Sequence, residues 1–319
     1  MSTKYLLAEE LHSIVDVFPA TPLTPETLDA FRRAGTENLV MGDPQRAGVL
    51  RSEIYAASAV GPDVRCLLYV PENNADVRPG YLHIHGGGYV MGSPEGSDLM
   101  NLAIASKLGA VVVSVDYRLA PENCIPAPLD DCYAGLAWLH EHAGDYRVDT
   151  DRIGVGGESA GGGLAAALAI KARDAGEYGV CHQHLTYPML DNLTGSEACP
   201  GDPFVGEFVW TRERNLYGWQ SYLGDAPAQA PQVPARVADF SGLPPTWMMT
   251  ASLDLFRDED IAYAQGLLAA GVPAELIVYE GACHGFQMVQ GTELGRRYVR
   301  DHMDALARGL GIRDILAAD

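Results

Sequence analysis

One pentapeptide, GESAG at residues 157–161, carries the residue types of a nucleophilic serine. It follows a short apolar segment, 152–156, predicted as a strand, and overlaps the start of an alanine-rich segment, 160–172, predicted as a helix. A Gly-x-Ser-x-Gly sequence in this context makes a sharp turn that exposes the serine hydroxyl, with the helix dipole directed at the reacting atoms. Ser159 is therefore the candidate nucleophile. A glycine-rich phosphate loop is the competing interpretation, but it lacks its third glycine and its lysine here.

A second sequence, HGGG at 85–88, ends another short predicted strand, 81–85. A tetrahedral oxyanion needs backbone N–H groups that converge on one oxygen, and glycines let the main chain come close enough to supply them. The expected donors are the N–H groups of Gly87, Gly88 and Ala160. His85 is expected to brace this loop by hydrogen bonding rather than to transfer protons. A merely flexible turn is the alternative, and it is weakened by the presence of Ser159 in the same chain.

The general base is sought among the histidines near the end of the chain, since a serine needs a proton acceptor beside it. His284 lies in GACHGF at 281–286, directly after a predicted strand, where catalytic loops gather in an α/β sheet. His302 lies in a charged helical segment and is predicted to be solvated. His284 is therefore the candidate base. Cys283 beside it is interpreted as a packing residue, because its position on the loop of the base is poor for a nucleophile.

The carboxylate that orients the base is expected after the strand predicted at 246–251. Asp254 is the nearest acidic residue to the end of that strand and is the candidate. Asp258 is its main rival. The acidic triplet 258–260 is otherwise interpreted as charge at the N-terminus of a helix.

Strands and helices are predicted to alternate, which indicates an α/β fold with a mostly parallel sheet covered by helices on both faces. Strands are predicted at 49–57, 64–71, 81–85, 110–117, 152–156, 182–189, 246–251 and 274–279, and helices at 127–142, 160–172, 258–270 and 293–310. The run AVVVSVDY at 110–117 is typical of a buried central strand.

Two segments stand outside this alternation and are predicted to form a cap. Residues 1–45 are predicted to be helical and amphipathic, with Thr24 capping a helix that has Pro25 in its first turn. Residues 191–241 are rich in Pro, Gly and aromatic residues and interrupt two core strands. The remaining parts, 46–190 and 242–319, are predicted to make the catalytic core.

Composition and charge indicate which binding partners and which location to expect. The 319 residues carry a net charge of −20, which disfavours binding to nucleic acid and to anionic membranes. The first residues include acidic side chains where a signal peptide would be apolar, and no segment is long and apolar enough for membrane insertion. The six cysteines form no CxxC pair and are predicted to be buried free thiols in a reducing cytoplasm. We expect no metal and no organic cofactor.

These sequences, taken in order, resemble the bacterial hormone-sensitive-lipase-like esterases, the H-G-G-G group of the α/β-hydrolases. The resemblance runs over roughly 65–310 and rests on HIHGGGYVMGS, VDYRLAPEN with PAPLDDC, GGESAGGGLAA, SLDLFRDE and the CHGF segment. It implies an eight-stranded α/β-hydrolase sheet, a helical cap and hydrolysis of short-acyl esters. It also implies a triad of Ser159, Asp254 and His284 with an oxyanion hole of Gly87, Gly88 and Ala160.

The chain departs from the family pattern at two positions. Leu255 follows the acid where the family usually has proline, and Glu158 precedes the serine where aspartate is common. Neither change removes a catalytic group.

The sequence thus predicts a serine carboxylesterase that acts on a small-molecule ester without a cofactor. A non-catalytic receptor on the same fold is the second hypothesis, and such receptors lack the base that His284 supplies here. An amidase that uses the same triad is the third. A homodimer is predicted through the last strand, 274–279, whose sequence AELIVY has strong β-propensity at an expected sheet edge.

Overall fold

The computed structural model describes residues 2–17, 21–73, 75 and 77–312. Its eight strands are β1 (Val49–Ala56), β2 (Val64–Pro71), β3 (Arg78–Ile84), β4 (Val111–Val115), β5 (Val148–Glu158), β6 (His182–Thr186), β7 (Thr246–Ala251) and β8 (Ala274–Tyr279). The α-helices of the described ranges are α1 (Ile14–Val17), α2 (Pro25–Glu37), α3 (Pro44–Ala47), α4 (Asp98–Leu108), α5 (Ala127–Glu141), α6 (Ala160–Ala175), α7 (Arg212–Leu223), α8 (Arg257–Ala269) and α9 (Glu293–Gly309).

The strands form one sheet in the order β1-β2-β4-β3-β5-β6-β7-β8. The pairs β1–β2 and β2–β4 are antiparallel, and every pair from β4–β3 to β7–β8 is parallel. The carboxyl ends of β3, β5, β6, β7 and β8 therefore lie along the same side of the sheet, where loops that follow parallel strands can meet. The predicted fold class is confirmed, and β8 lies at the edge as predicted.

Each face of the sheet is covered by its own group of helices. On one face Leu136 of α5 and Leu168 of α6 belong to the same buried cluster as Leu82 and Val113. On the other face α4 and α9 pack on the neighbouring strand positions, Tyr81 and Val112. The alternation follows from the two-residue repeat of a strand. Strands β3 and β4 are buried on both sides because helices cover both faces.

The N-terminal segment is helical only in parts. Two short 3₁₀ turns, Lys4–Leu6 and Glu9–Leu11, precede α1, and α2 is the longest helix before the first strand. Thr24 is the N-cap of α2 as predicted, and its backbone N–H donates to Thr27 Oγ1. Residues 1 and 18–20 of the predicted cap segment, and 313–319 of the predicted core, lie outside the described residues.

Sequence analysis predicted neither α4 nor α7, which lies within 191–241. The cysteine prediction was only partly right. All six thiols are free, but Cys199 is exposed and Cys124 and Cys181 are half-buried. Among the helices of the described ranges, none is long and apolar enough to cross a bilayer.

Candidate active site

Ser159 occupies the turn between β5 and α6 in a strained backbone conformation. Its φ of 57° and ψ of −120° lie outside the regions that L-residues favour, which costs on the order of 1–3 kcal/mol. Two backbone hydrogen bonds hold the turn: the Ser159 N–H donates to the Thr186 carbonyl at 2.9 Å, and its carbonyl accepts from the Met189 N–H at 2.9 Å. A Cβ added at Gly161 would overlap the Ile84 carbonyl oxygen, which explains why the last position of the Gly-x-Ser-x-Gly sequence is glycine.

His284 bridges Ser159 and Asp254. Ser159 follows β5, Asp254 lies in the loop after β7, and His284 lies in the loop after β8. Its Nε2 lies 2.9 Å from Ser159 Oγ, and its Nδ1 lies 2.7 Å from Asp254 Oδ2. A carboxylate only accepts hydrogen bonds, so Nδ1 carries the proton and Nε2 presents its lone pair to the serine hydroxyl. Asp254 is fully buried, and its other oxygen accepts from the Phe256 N–H at 3.0 Å.

The imidazole of His284 is enclosed by aromatic rings. The Tyr187 ring centre lies 4.3 Å from that of His284, and the Phe256 ring meets it edge-on at 5.3 Å. Trp210, from the 191–241 segment, lies 6.4 Å away. Burial raises the pKa of Cys283 to about 12, which keeps this thiol protonated and agrees with the packing role predicted for it.

The loop of the predicted oxyanion donors approaches the serine at Gly86, where an added Cβ would lie 3.5 Å from Ser159 Cβ. Gly87 and Gly88 have φ angles of 125° and 60°, which few residues other than glycine adopt, and Ala160 is the first residue of α6. A Cβ at Gly88 would overlap the indole of Trp210. His85 Nδ1 donates to the Gly86 carbonyl at 2.8 Å, and its ring stacks on Tyr117, which is the bracing arrangement predicted for it. Burial lowers the pKa of His85 to about 4.

The acidic residues after β7 differ in environment. Asp258, the rival of Asp254, is exposed and pairs with Arg257. The triplet 258–260 lies in the first turn of α8 as predicted, but two of its members are buried rather than exposed. Glu259 is buried and accepts hydrogen bonds from the Leu190 N–H and the Thr194 hydroxyl, and burial raises its pKa. Asp260 is fully buried, and its pKa is raised for the same reason.

The prediction that His302 is solvated was wrong. It is 2% exposed, because α9 turns this residue toward the sheet. Its Nδ1 lies 3.1 Å from His184 Nε2 on β6 and 3.2 Å from the Tyr298 hydroxyl. The charged residues around it lie on the solvent-facing side of α9, which is amphipathic.

Glu158, the residue before the nucleophile, has a polar partner that was not predicted from the sequence. The imidazole of His83 on β3 lies 3.1 Å from the Glu158 carboxylate. The only signal in the sequence was a polar residue near the end of each of two otherwise apolar strands, His83 in HIH and Glu158 in GES. Within the described residues, no three His, Cys, Asp or Glu side chains converge as a metal site.

A parallel-rich sheet with serine, histidine and aspartate hydrogen-bonded at its carboxyl edge defines the α/β-hydrolase class. A family model described as "alpha/beta hydrolase fold" matches residues 81–288. Carboxylesterase NlhH of Mycobacterium tuberculosis is 34% identical, and the match covers 86% of this chain and 87% of NlhH. Esterase LipI of the same species is 38% identical, with 65% of each chain covered.

The solved structure of a bacterial heroin esterase superposes with a TM-score of 0.89 at 36% identity, covering 97% of this chain and 99% of that one. The chain therefore belongs to the α/β-hydrolase family, within its hormone-sensitive-lipase-like esterases.

Proposed function

We propose that this chain hydrolyses short-acyl carboxylic esters through an acyl-enzyme formed on Ser159. The observation that carries the proposal is the hydrogen-bonded chain from Ser159 Oγ through the His284 ring to Asp254. Two of the relatives that it matches over most of its length are a carboxylesterase, NlhH, and a bacterial heroin esterase by name.

The proposed chemistry begins with proton transfer from Ser159 Oγ to His284 Nε2 as the oxygen attacks the ester carbonyl carbon. Asp254 holds the Nδ1 tautomer and stabilises the imidazolium. The negative charge that develops on the carbonyl oxygen is bound by the N–H groups of Gly87, Gly88 and Ala160.

The tetrahedral intermediate then loses its alcohol. The bond between the carbonyl carbon and the alcohol oxygen breaks, and His284 Nε2 returns its proton to that oxygen. Water repeats the sequence on the acyl-serine: His284 Nε2 takes a proton from the water as its oxygen attacks the acyl carbon. The bond from that carbon to Ser159 Oγ then breaks, Oγ regains the proton from His284, and the acid leaves.

We assign the cap to the N-terminal segment and 191–241. Support comes from contacts between the two: Glu207 accepts hydrogen bonds from the backbone N–H and hydroxyl of Thr3, and Arg214 donates to the Thr21 carbonyl. Leu7 and Phe208 also belong to one buried cluster.

The cap supports a preference for small acyl groups. The Trp210 indole lies against Gly88 and near His284, so it limits the space beside the proposed oxyanion hole. A cavity of about 480 Å³ lies beside the glycine loop 85–88 and is lined by Gly86, Phe31, Leu39, Met91 and Leu119 among others. Its mainly apolar wall suits a short hydrocarbon arm of an ester.

A series of p-nitrophenyl esters of increasing chain length tests the function, with Ser159→Ala as the inactive control. We expect kcat/KM to be highest for short chains and Trp210→Ala to move the optimum to longer ones. A kcat/KM that keeps rising beyond roughly ten acyl carbons would contradict the short-acyl assignment. A matched amide, p-nitroacetanilide, separates esterase from amidase activity.

We further propose a homodimer paired through β8 and a cytoplasmic location. Val278 on this edge strand is 41% exposed, and an uncovered edge offers unpaired backbone groups. The six free thiols support a reducing compartment.

Light scattering after size exclusion tests the dimer. We expect twice the 34.2 kDa chain mass for the wild type and a monomer for Val278→Lys. Leu50→Lys, an exposed residue on the opposite edge strand β1, is the control. A wild-type mass equal to one chain would contradict the dimer.

A further inference from the structure

A buried polar pair joins the strand that carries the nucleophile to the strand that carries the oxyanion loop. Glu158, the last residue of β5, immediately precedes Ser159, and the side chain of Glu158 is 18% exposed. Both of its carboxylate oxygens lie within 3.1–3.2 Å of His83 Nε2 on β3. The carboxylate accepts, so His83 Nε2–H is the donor.

His83 is the centre of a wider link across three strands. It is 1% exposed, and its Nδ1 lies 3.0 Å from the Ser114 hydroxyl on β4. The Asn101 side-chain amide of α4 lies 3.3 Å from the same nitrogen. The ring is thus held from both sides and cannot turn without breaking hydrogen bonds to β4 or β5. A buried hydrogen-bond network of this kind restrains the geometry of the elements it joins.

The register of the sheet brings this pair directly behind the site. His83 is opposite Gly156 in the parallel pairing of β3 with β5, so Glu158, two residues on, projects from the same face. Three residues after His83, at Gly86, the chain enters the glycines that carry the proposed donors. The contact there is tight: a Cβ on Gly86 would lie 2.9 Å from the Glu158 carbonyl oxygen.

Electrostatics keep the pair intact at neutral pH. Burial by itself would raise the pKa of Glu158, but His83, together with His302 and a backbone hydrogen bond, offsets this, and the pKa lies below its ordinary value. The carboxylate therefore stays ionised and remains a strong acceptor.

We infer that the Glu158–His83 pair is a positioning device that fixes the distance between Ser159 and the N–H groups of Gly87 and Gly88. The inference rests on the proposed acyl-transfer function. Neither residue touches the reacting atoms; the pair acts by holding the ends of β3 and β5 in one arrangement. Loss of the pair should therefore weaken binding of the oxyanion in the transition state more than binding of the substrate.

Three variants and one substrate comparison test this. Glu158→Ala removes the acceptor, Glu158→Gln keeps an acceptor oxygen for His83 without the charge, and His83→Asn changes the pair from the other strand. Glu259→Gln is the control, since it alters a buried carboxylate that contacts Leu190 and Thr194 and lies outside the pair. The comparison is p-nitrophenyl acetate against its thiono analogue, whose sulfur accepts hydrogen bonds weakly and so reports on the oxyanion hole.

We expect Glu158→Ala and His83→Asn to lower kcat for the oxygen ester about 10- to 100-fold, with KM changed by less than about twofold. Their preference for the oxygen ester over the thiono ester should fall in parallel, and Glu158→Gln should restore most of both values. Glu259→Gln should leave the preference unchanged. If Glu158→Ala does not fold, His83→Asn decides the question by the same criteria.

The inference is overturned if the folded variants keep wild-type kcat, or if kcat falls while the oxygen-to-sulfur preference stays constant. The proposed function fails separately: in that case the wild type shows no ester hydrolysis that Ser159→Ala abolishes. The two failures are therefore distinguishable in one set of assays.

Discussion

Two buried histidines near the end of the chain have opposite environments. His284 lies between the Asp254 carboxylate and the Ser159 hydroxyl, at 2.7 and 2.9 Å. His302, on α9, has His184 and Tyr298 as hydrogen-bond partners, and burial lowers its pKa to about 4. The nitrogens of His284 thus meet a carboxylate and a hydroxyl, whereas the hydrogen-bond partners of His302 are an imidazole and a phenol. The comparison teaches that the partners of a buried histidine, rather than its burial, distinguish the candidate base.

The largest expected effect comes from exchanging the two histidines for an uncharged amide. His284→Gln should lower kcat about 10⁴-fold, because no other group can accept the serine proton. His302→Gln should change kcat by less than about threefold, since its ring lies away from the hydroxyl of Ser159. Initial rates on p-nitrophenyl acetate measure both. Equal losses in the two variants would show that His284 has no special role.

Removal of the Asp254 carboxylate, which contacts His284, should lower kcat almost as much as removal of His284 itself. Asp254→Asn should lower kcat about 10³- to 10⁴-fold, because an amide can donate to Nδ1 and so favour the wrong tautomer. Asp258→Asn is the matched control, and its exposed pair with Arg257 predicts a change of less than about twofold. A larger loss for Asp258→Asn than for Asp254→Asn would mean that the wrong acid is named here.

Three buried histidines, His182, His184 and His302, should affect the free energy of unfolding rather than the catalytic rate. Burial lowers the pKa of His182 and of His302 to about 4, and it also lowers that of His184. The unfolded chain titrates near 6.5, so it binds more protons than the folded chain between these pH values. The free energy of unfolding must therefore fall as the pH decreases through this window.

Urea unfolding at a series of pH values measures this effect. We expect His302→Gln to reduce the acid-induced loss of stability by up to roughly 3 kcal/mol relative to the wild type. His140→Gln is the control, because this residue of α5 is only half-buried, and although burial also lowers its pKa, it should change the pH dependence less. Parallel curves for wild type and His302→Gln would contradict a folded-state pKa depressed by burial.

The strands and the nucleophile turn were predictable because their signals are local. The run at 110–117 is apolar and β-branched, and the structure has β4 there, buried between β2 and β3. The ends of β2, β7 and β8 coincide with the predicted ones. The Gly-x-Ser-x-Gly turn depends on neighbouring residues alone, so its strand–turn–helix context could be recognised without any long-range contact.

The failures concern residues whose environment depends on distant partners. His302 is buried against His184, a residue 118 positions earlier on β6, and nothing in the charged sequence around it indicates that contact. Glu259 lies in the first turn of α8 as expected, but its carboxylate is buried and accepts hydrogen bonds from Leu190 and from Thr194 of the 191–241 segment. Helix α7 was missed because its polar and aromatic letters lack a clear apolar stripe.

The central claim is that Ser159 is the residue that becomes acylated, and covalent labelling tests it most directly. Diethyl p-nitrophenyl phosphate reacts with an activated serine: an oxygen–phosphorus bond forms and p-nitrophenolate leaves. We predict one stable adduct per chain by intact mass, located on Ser159 by peptide mapping, with activity lost in proportion. Ser159→Ala should remain unlabelled. An adduct on another residue that accounts for the lost activity, or inactivation without modification of Ser159, would contradict the account.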